Sequence, residues 1–157
     1  MLIKKSKGDS IRLRLANHKD KKKYFEWAND KSVRKISKTK RKIEYSSHLK
    51  WFKRKLESNK TLLLLFEKKK KPVGQVRVDR IQKKLLITYS VDKKFRNMGL
   101  GKKILKIAEN RIKRHFKISN LFAKVVKDNY ASIKIFEALS YTCYYKANYL
   151  YYKKKLK

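Results

Sequence analysis

The residues best equipped for chemistry run from Val91 to Lys103, through Arg96-Asn97-Met98-Gly99-Leu100-Gly101-Lys102-Lys103, and hold two of the chain's four glycines. Glycine has no Cβ, so the backbone at Gly99 and Gly101 can approach a bound group closely and turn N–H donors toward it. The first turn of a helix leaves N–H groups without intrahelical partners, and the helix dipole makes that end mildly positive. With the charges of Arg96, Lys102 and Lys103 alongside, these features suit a phosphate. The pattern is neither a P-loop, since Gly-x-x-x-x-Gly-Lys-Ser/Thr is absent, nor the Gly-x-Gly-x-x-Gly of dinucleotide folds. An ordinary basic turn capping a helix fits the same residues.

His48 and Trp51 stand three apart, beside a helical face made by Tyr45, Leu49, Phe52 and Leu56, so both can point at one object. A core Trp51 next to a surface His48 is the alternative. Asp79 can act as a base or pair with Arg77 or Arg80. Cys143 has no partner for an internal disulfide and sits in a strand-like run, where a small buried filler is expected. No set of His, Cys and carboxylates has metal-ligand spacing, so no metal is expected.

These residues need elements to position them. Ile11-Arg12-Leu13-Arg14-Leu15 alternates as a strand does, and a helix capped by Asn17 or His18 follows to about Ala28, leaving residues 29–34 as helix end and loop. A second helix spans Tyr45 to Leu56. Leu62–Glu67, Val73–Arg80 and Leu85–Val91 read as an antiparallel meander. The glycine turn then opens a helix with Ile104, Leu105, Ala108 and Ile112 on one face. Leu121–Val126, a helix from Asp128 or Asn129 through Leu139, and a tyrosine-rich hairpin around Ala147-Asn148 close the chain. The order β-α-α-β-β-β-α-β-α-β-β implies an α+β fold, and the strand-helix-strand unit around the glycine turn makes the sheet mixed.

At 157 residues one domain is expected over 1–157, with 1–10 as a loose lead-in. The longest apolar run, Leu62–Phe66, is far too short to cross a bilayer, and no leader-like stretch opens the chain, so a cytoplasmic location without membrane insertion is expected. The 47 basic and 12 acidic residues give a net charge of +35, which attracts polyanions without sequence preference. The lysines are spread along the chain instead of forming one tail, and a homodimer is an open expectation.

From Ile11 to about Lys154 the chain resembles the GNAT-type N-acetyltransferases. Their Arg/Gln-x-x-Gly-x-Gly/Ala turn corresponds to Arg96-Asn97-Met98-Gly99-Leu100-Gly101. Their second signature, an Asn with a small residue three on, an aliphatic four on and usually Tyr seven on, corresponds to Asn129, Ser132, Ile133 and, in place of Tyr, Phe136. Trp27-x-Asn29-Asp30-x-x-Val33-Arg34 and His48-Leu49-x-Trp51-Phe52 look like the branch that acetylates UDP-4-amino-4,6-dideoxy sugars on the way to pseudaminic acid for surface glycans and flagellin. Val73–Ile81 is similar to that branch's third strand. The Trp-x-Asn-Asp element also resembles enzymes that acetylate ribosomal-protein N-termini.

The resemblance implies a GNAT fold with helices on both faces of the sheet and direct transfer from acetyl-CoA to a neutral amine. It implies that Val91, Arg96, Asn97, Met98, Gly99, Leu100, Gly101, Lys102 and Asn129 bind acetyl-CoA, and that Asn29, Arg34, His48 and Trp51 bind a nucleotide-sugar acceptor. The proton for the leaving thiolate falls to Tyr130, to Tyr141, to water or to nothing, because Phe136 carries none; Tyr130 is preferred. Asp79, Tyr89, Ser90 and His48 are candidates for relaying the amine's proton. Acetylation of protein N-termini and nucleic-acid binding without catalysis are the competing functions.

Overall fold

The apolar run Leu62–Phe66 can persist without alternation only if both faces of its strand are covered, and they are. In the computed structural model, which describes residues 10–157, these residues are at most 5% exposed. The elements are β1 (Ile11–Leu15), α1 (Lys21–Ala28), α2 (Lys31–Ile36), α3 (Tyr45–Glu57), β2 (Thr61–Lys68), β3 (Lys71–Ile81), β4 (Lys84–Val91), α4 (Leu100–Phe116), β5 (Asn120–Val126), α5 (Tyr130–Ala138), β6 (Thr142–Lys146) and β7 (Tyr149–Lys155). Short 3-10 turns occupy His18–Asp20 and Lys93–Phe95. The lead-in expected over residues 1–10 lies, but for its last residue, outside the described residues.

The strands form one seven-stranded mixed sheet in the order β1-β2-β3-β4-β5-β7-β6. β2, β3 and β4 are the expected meander, and β4 and β5 are parallel. Leu62, Leu64 and Phe66 pack with α4 and α5 through Ile104, Leu105, Ala108, Ile112 and Phe136. On the other face Leu63 and Leu65 pack with Tyr24, Trp27 and Phe52 of α1 and α3. Helices therefore lie on both faces, as expected.

Three local expectations need correction. Residues 29–34 are not simply helix end and loop: Lys31–Ile36 forms α2, because the Asp30 carboxylate accepts hydrogen bonds from the Ser32 and Val33 amides and caps a new helix. The turn before β3 is only Lys69-Lys70, both with positive φ, so Pro72 lies inside the strand at a register shift. Cys143 is half-buried at the margin of the core, because β6 is the edge strand.

Candidate active site

Two features of the backbone open a site at the end of β4. β4 and β5 are in register only at Leu85–Leu121 and Leu86–Phe122, and beyond that point the two strands no longer pair. Next, Asp92 donates its amide to the Val73 carbonyl at 2.8 Å. Hydrogen bonding in an antiparallel pair alternates, so the amides of Val91 and Tyr89 turn away from β3, toward the gap. The Val91 carbonyl turns the same way and accepts from Arg96 Nε at 3.1 Å.

The glycine turn borders that gap. Asn97 and Gly99 both have positive φ, 61° and 72°, and Gly99 starts α4 with no side chain capping its amides. At Gly101 a Cβ would come within 2.8 Å of Ile135 Cδ1 and 3.2 Å of Tyr89 Cε2. A cavity of about 420 Å³ lies here, lined among others by Asn97, Gly99, Leu100, Gly101, Asn129 and Ser132. Leu100 is buried, Asn129 caps α5 through the Ser132 amide, and Met98 and Lys102 are exposed outside the lining. An uncapped helix start, a diverging strand pair and the cavity between them fit a diphosphate followed by a narrow extended arm.

Arg96 lines this cavity and is also tied to α2. Its Nη1 donates to Ser32 Oγ at 2.7 Å and its Nη2 lies 3.2 Å from Asp30 Oδ1, so the guanidinium clasps α2 to the glycine turn at the cavity wall.

A second cavity, about 520 Å³, opens between α1, α2 and α3 and the β3–β4 surface, and it shares Val33, Tyr89 and Ser90 with the first. Its wall carries Tyr24, Trp27, His48 and Trp51, with Gln75, Arg77, Thr88 and Ser90 from the strands. No Asp or Glu lines it. His48 is 3% exposed, packs against Phe25, Trp51 and Phe52, and has no hydrogen-bond partner on either ring nitrogen among the described residues. Burial pushes its pKa below the ordinary value of 6.5, so the ring is neutral at neutral pH. The Arg77 guanidinium lies over Trp51 at 5.3 Å, and Gln75 Nε2 donates to Ser90 Oγ at 3.1 Å.

His48, Trp51 and Ser90 are therefore brought together, while Asn29 and Arg34 act differently. Asn29 exchanges both amide hydrogen bonds with the Ile43 backbone, at 3.0 and 2.7 Å. Arg34 lines the cavity, but its donors are taken by the carbonyls of Ala28, Thr39 and Arg41 and by Ser37 Oγ. The two side chains build the 37–43 loop and have little left for a diphosphate. Trp27 donates its indole N–H to Asp92 at 2.8 Å and ties α1 to the end of β4.

Three proposed proton carriers are also displaced. Asp79 sits between Lys55 at 2.6 Å and Arg77 at 2.9 Å, and Thr61 donates to it at 2.8 Å. Burial alone would raise its pKa, but Lys55, Arg77 and Thr61 hold it below the ordinary value, and it lines neither cavity. Tyr130 is 68% exposed and lines neither cavity, because it is the first residue of α5 and faces solvent. Tyr141 is buried against Phe136 and Lys154, also away from both.

Tyr89 is the hydroxyl that does reach the junction. Its oxygen is 2.8 Å from Ser132 Oγ, its ring meets Phe136 edge to face at 5.9 Å, and it lines both cavities. Ser132, the small residue of the second signature, meets this hydroxyl, while Gln75 and Arg77 share one face of β3 and carried no signal in the sequence that they line a site. A larger concavity, about 710 Å³, lies at the far end of α4, where Lys154 and Glu109 pair at 2.8 Å; it has neither the glycine turn nor the aromatic wall.

A model of the acetyltransferase (GNAT) domain matches residues 10–142. The chain belongs to the GNAT acetyltransferase family. It is an acetyl-CoA-dependent acetyltransferase of the GNAT type. No curated protein matches its sequence. Among solved structures it is similar to yncA of Salmonella typhimurium, described as an acetyltransferase with its cofactor acetyl-CoA. That match has TM-score 0.78 and 16% identity over 95% of each chain. It is also similar to an N-acetyltransferase of Staphylococcus aureus Mu50, with TM-score 0.79 and 18% identity over 95% of this chain and 100% of that one. A third likeness is to the ribosomal-protein-S5-alanine acetyltransferase of Vibrio fischeri, with TM-score 0.75 and 15% identity over 92% of each. Identities this low carry the GNAT fold and not the acceptor. Among the described residues no group could hold a metal ion, and no helix is long and apolar enough to cross a membrane.

Proposed function

We propose that this GNAT enzyme acetylates the amine of a nucleotide-activated amino sugar, such as a UDP-4-amino-4,6-dideoxy sugar. The observation that carries the reading is the acceptor cavity: aromatic rings, the Arg77 cation and a neutral His48, with no carboxylate on its wall. Trp51 offers a plane for a base or sugar ring, with the Arg77 guanidinium beside it and no carboxylate on the wall to repel an acceptor that brings its own negative charge.

Bound acetyl-CoA supplies an activated carbonyl and a thiolate leaving group. The rest is the work of this chain's residues. Gly99, Leu100, Gly101 and Asn97 bind the diphosphate through main-chain amides, with Asn129 on the opposite wall. Holding both reactants across the shared wall of Ser90 and Tyr89 is worth roughly 7–11 kcal/mol in favourable models. The outward-facing Val91 amide is an oxyanion donor whose strength is felt mainly in the transition state. Water held by Ser90 and His48 takes the amine's proton. Tyr89, and neither Tyr130 nor Tyr141, gives a proton to the departing sulfur. Burial raises its pKa against the lowering effect of Ser132, so the hydroxyl stays protonated at neutral pH.

The test is CoA release from acetyl-CoA in the presence of either a UDP-4-amino-4,6-dideoxy sugar or a panel of N-terminal peptides. Saturable release with the nucleotide sugar alone supports the reading. Release with the peptides alone moves the enzyme to the class of the S5-alanine acetyltransferase.

A further inference from the structure

The second half of the sheet is covered on one face only. Leu121, Ala123, Val125 and Tyr152 face the core shared with α4 and α5. The other face of β5, β7 and β6 stands open, with Tyr144 and Tyr145 46% and 58% exposed. Phe122, Tyr149 and Tyr151 are half-buried beside them. Register puts Lys124 opposite Tyr151, Val126 opposite Tyr149 and Phe122 opposite Lys153, so aromatic and basic side chains interleave on that face. A register shift between Cys143 and Tyr145 brings both Tyr144 and Tyr145 against Tyr151, at ring distances of 6.3 and 5.5 Å. The three strands contain no Asp or Glu.

We propose that this face binds single-stranded RNA, with bases stacked on the tyrosines and phosphates held by the lysines between them. Exposed rings on an open sheet are a platform for unpaired bases, whose flat faces a duplex keeps stacked on one another. Three strands at about 4.8 Å spacing, and about 13 Å of β7 from Tyr149 to Lys153, give room for two or three bases. Lysine ammoniums already lie over the rings: Lys124 is 3.9 Å from the centre of Tyr149, and Lys153 is 5.4 Å from that of Tyr144. Such exposed contacts are weaker than a base stack, so an arriving base displaces the ammonium, which remains close enough to meet the adjoining phosphate. The net charge of +35 gives the long-range attraction, and the rings select the single strand. RNA is favoured as the abundant single-stranded polyanion. The site is on the β5–β7–β6 sheet face, apart from the residues lining the two catalytic cavities, and does not depend on the acetyl acceptor.

The experiment is fluorescence anisotropy of a labelled oligouridylate of about 12 nucleotides, and of an RNA duplex of equal length, with the full chain at about 150 mM salt. Tighter binding of the single strand is expected. The pair Tyr144→Ser and Tyr145→Ser should weaken it about tenfold or more, while Tyr144→Phe with Tyr145→Phe leaves it within about twofold. Lys106→Gln, at an exposed position of α4, should also change it by no more than about twofold. Thermal stabilisation by acetyl-CoA, retained in the serine pair, shows that the variant is folded. Equal binding of duplex, or unchanged binding by the serine pair, overturns the proposal in favour of diffuse charge. A dimer that becomes monomeric in the serine pair overturns it in favour of a second copy of this chain.

Discussion

Phe136 removes the hydroxyl that the second GNAT signature usually provides, and Tyr89 brings one to the same neighbourhood from the adjacent strand. Tyr89→Phe should lower kcat by about two orders of magnitude with little change in acetyl-CoA affinity, and Phe136→Tyr should restore part of it in that background. Steady-state kinetics of the two single variants and the pair decide this; an undiminished kcat in Tyr89→Phe would show that the sulfur needs no proton from it. His48 makes a second prediction. Its folded pKa is lowered, so the stability associated with its neutral form is complete above the unfolded value of 6.5 and is lost as pH falls toward the folded one. Asp20, Asp30, Asp79 and Asp92 have lowered pKa values too, but their losses begin only near 3.8. Thermal unfolding midpoints should therefore begin to fall as the pH drops below 6.5 in the wild type, and His48→Phe should flatten that slope. Residue types and spacing made His48, Trp51 and the glycine turn legible as candidates. They could not show that Asp79 is occupied by Lys55, whose α3 origin is a matter of packing, or that Tyr130 points to water.

At the scale of elements, the apolar periodicities read the meander strands and the long α4 correctly, because each is decided by what its own residues bury, and the strand-helix-strand unit gave the parallel β4–β5 pair. The short α2 escaped because its cap, Asp30, is also a good turn residue, and six residues hold too little periodicity to tell the two apart. That helix matters through the clasp between Arg96, Asp30 and Ser32, which joins the wall of the acceptor cavity to the cofactor turn. Asp30→Asn should keep the helix cap, since Asn caps as well as Asp, while removing the charge that holds Arg96. A half-buried ion pair of this kind contributes about 0.5–1 kcal/mol, so the melting temperature should hardly move while the acceptor KM rises about two- to fivefold. An unchanged KM would mean that the two cavities are not mechanically joined through Arg96.

At the scale of the whole molecule, the sheet divides the labour. Its first four strands and the helices on both faces make the two cavities, and their meeting place exists because β4 and β5 pair at two positions only. Sequence reasoning reached the parallel pairing but not the wall of Gln75 and Arg77, which comes from α3 lying over β3. Isothermal titration of acetyl-CoA into Gly99→Val tests the central claim most directly. A Cβ at residue 99 meets nothing within 4 Å, so the fold is spared, but its φ of 72° strains any side chain and must turn the amides at the start of α4. Gly101→Val is the contrasting variant, in which collision with Ile135 and Tyr89 should cost stability as well. The account predicts that Gly99→Val keeps its unfolding temperature within a few degrees of the wild type's and loses acetyl-CoA affinity by at least about tenfold; wild-type affinity in that variant would contradict it.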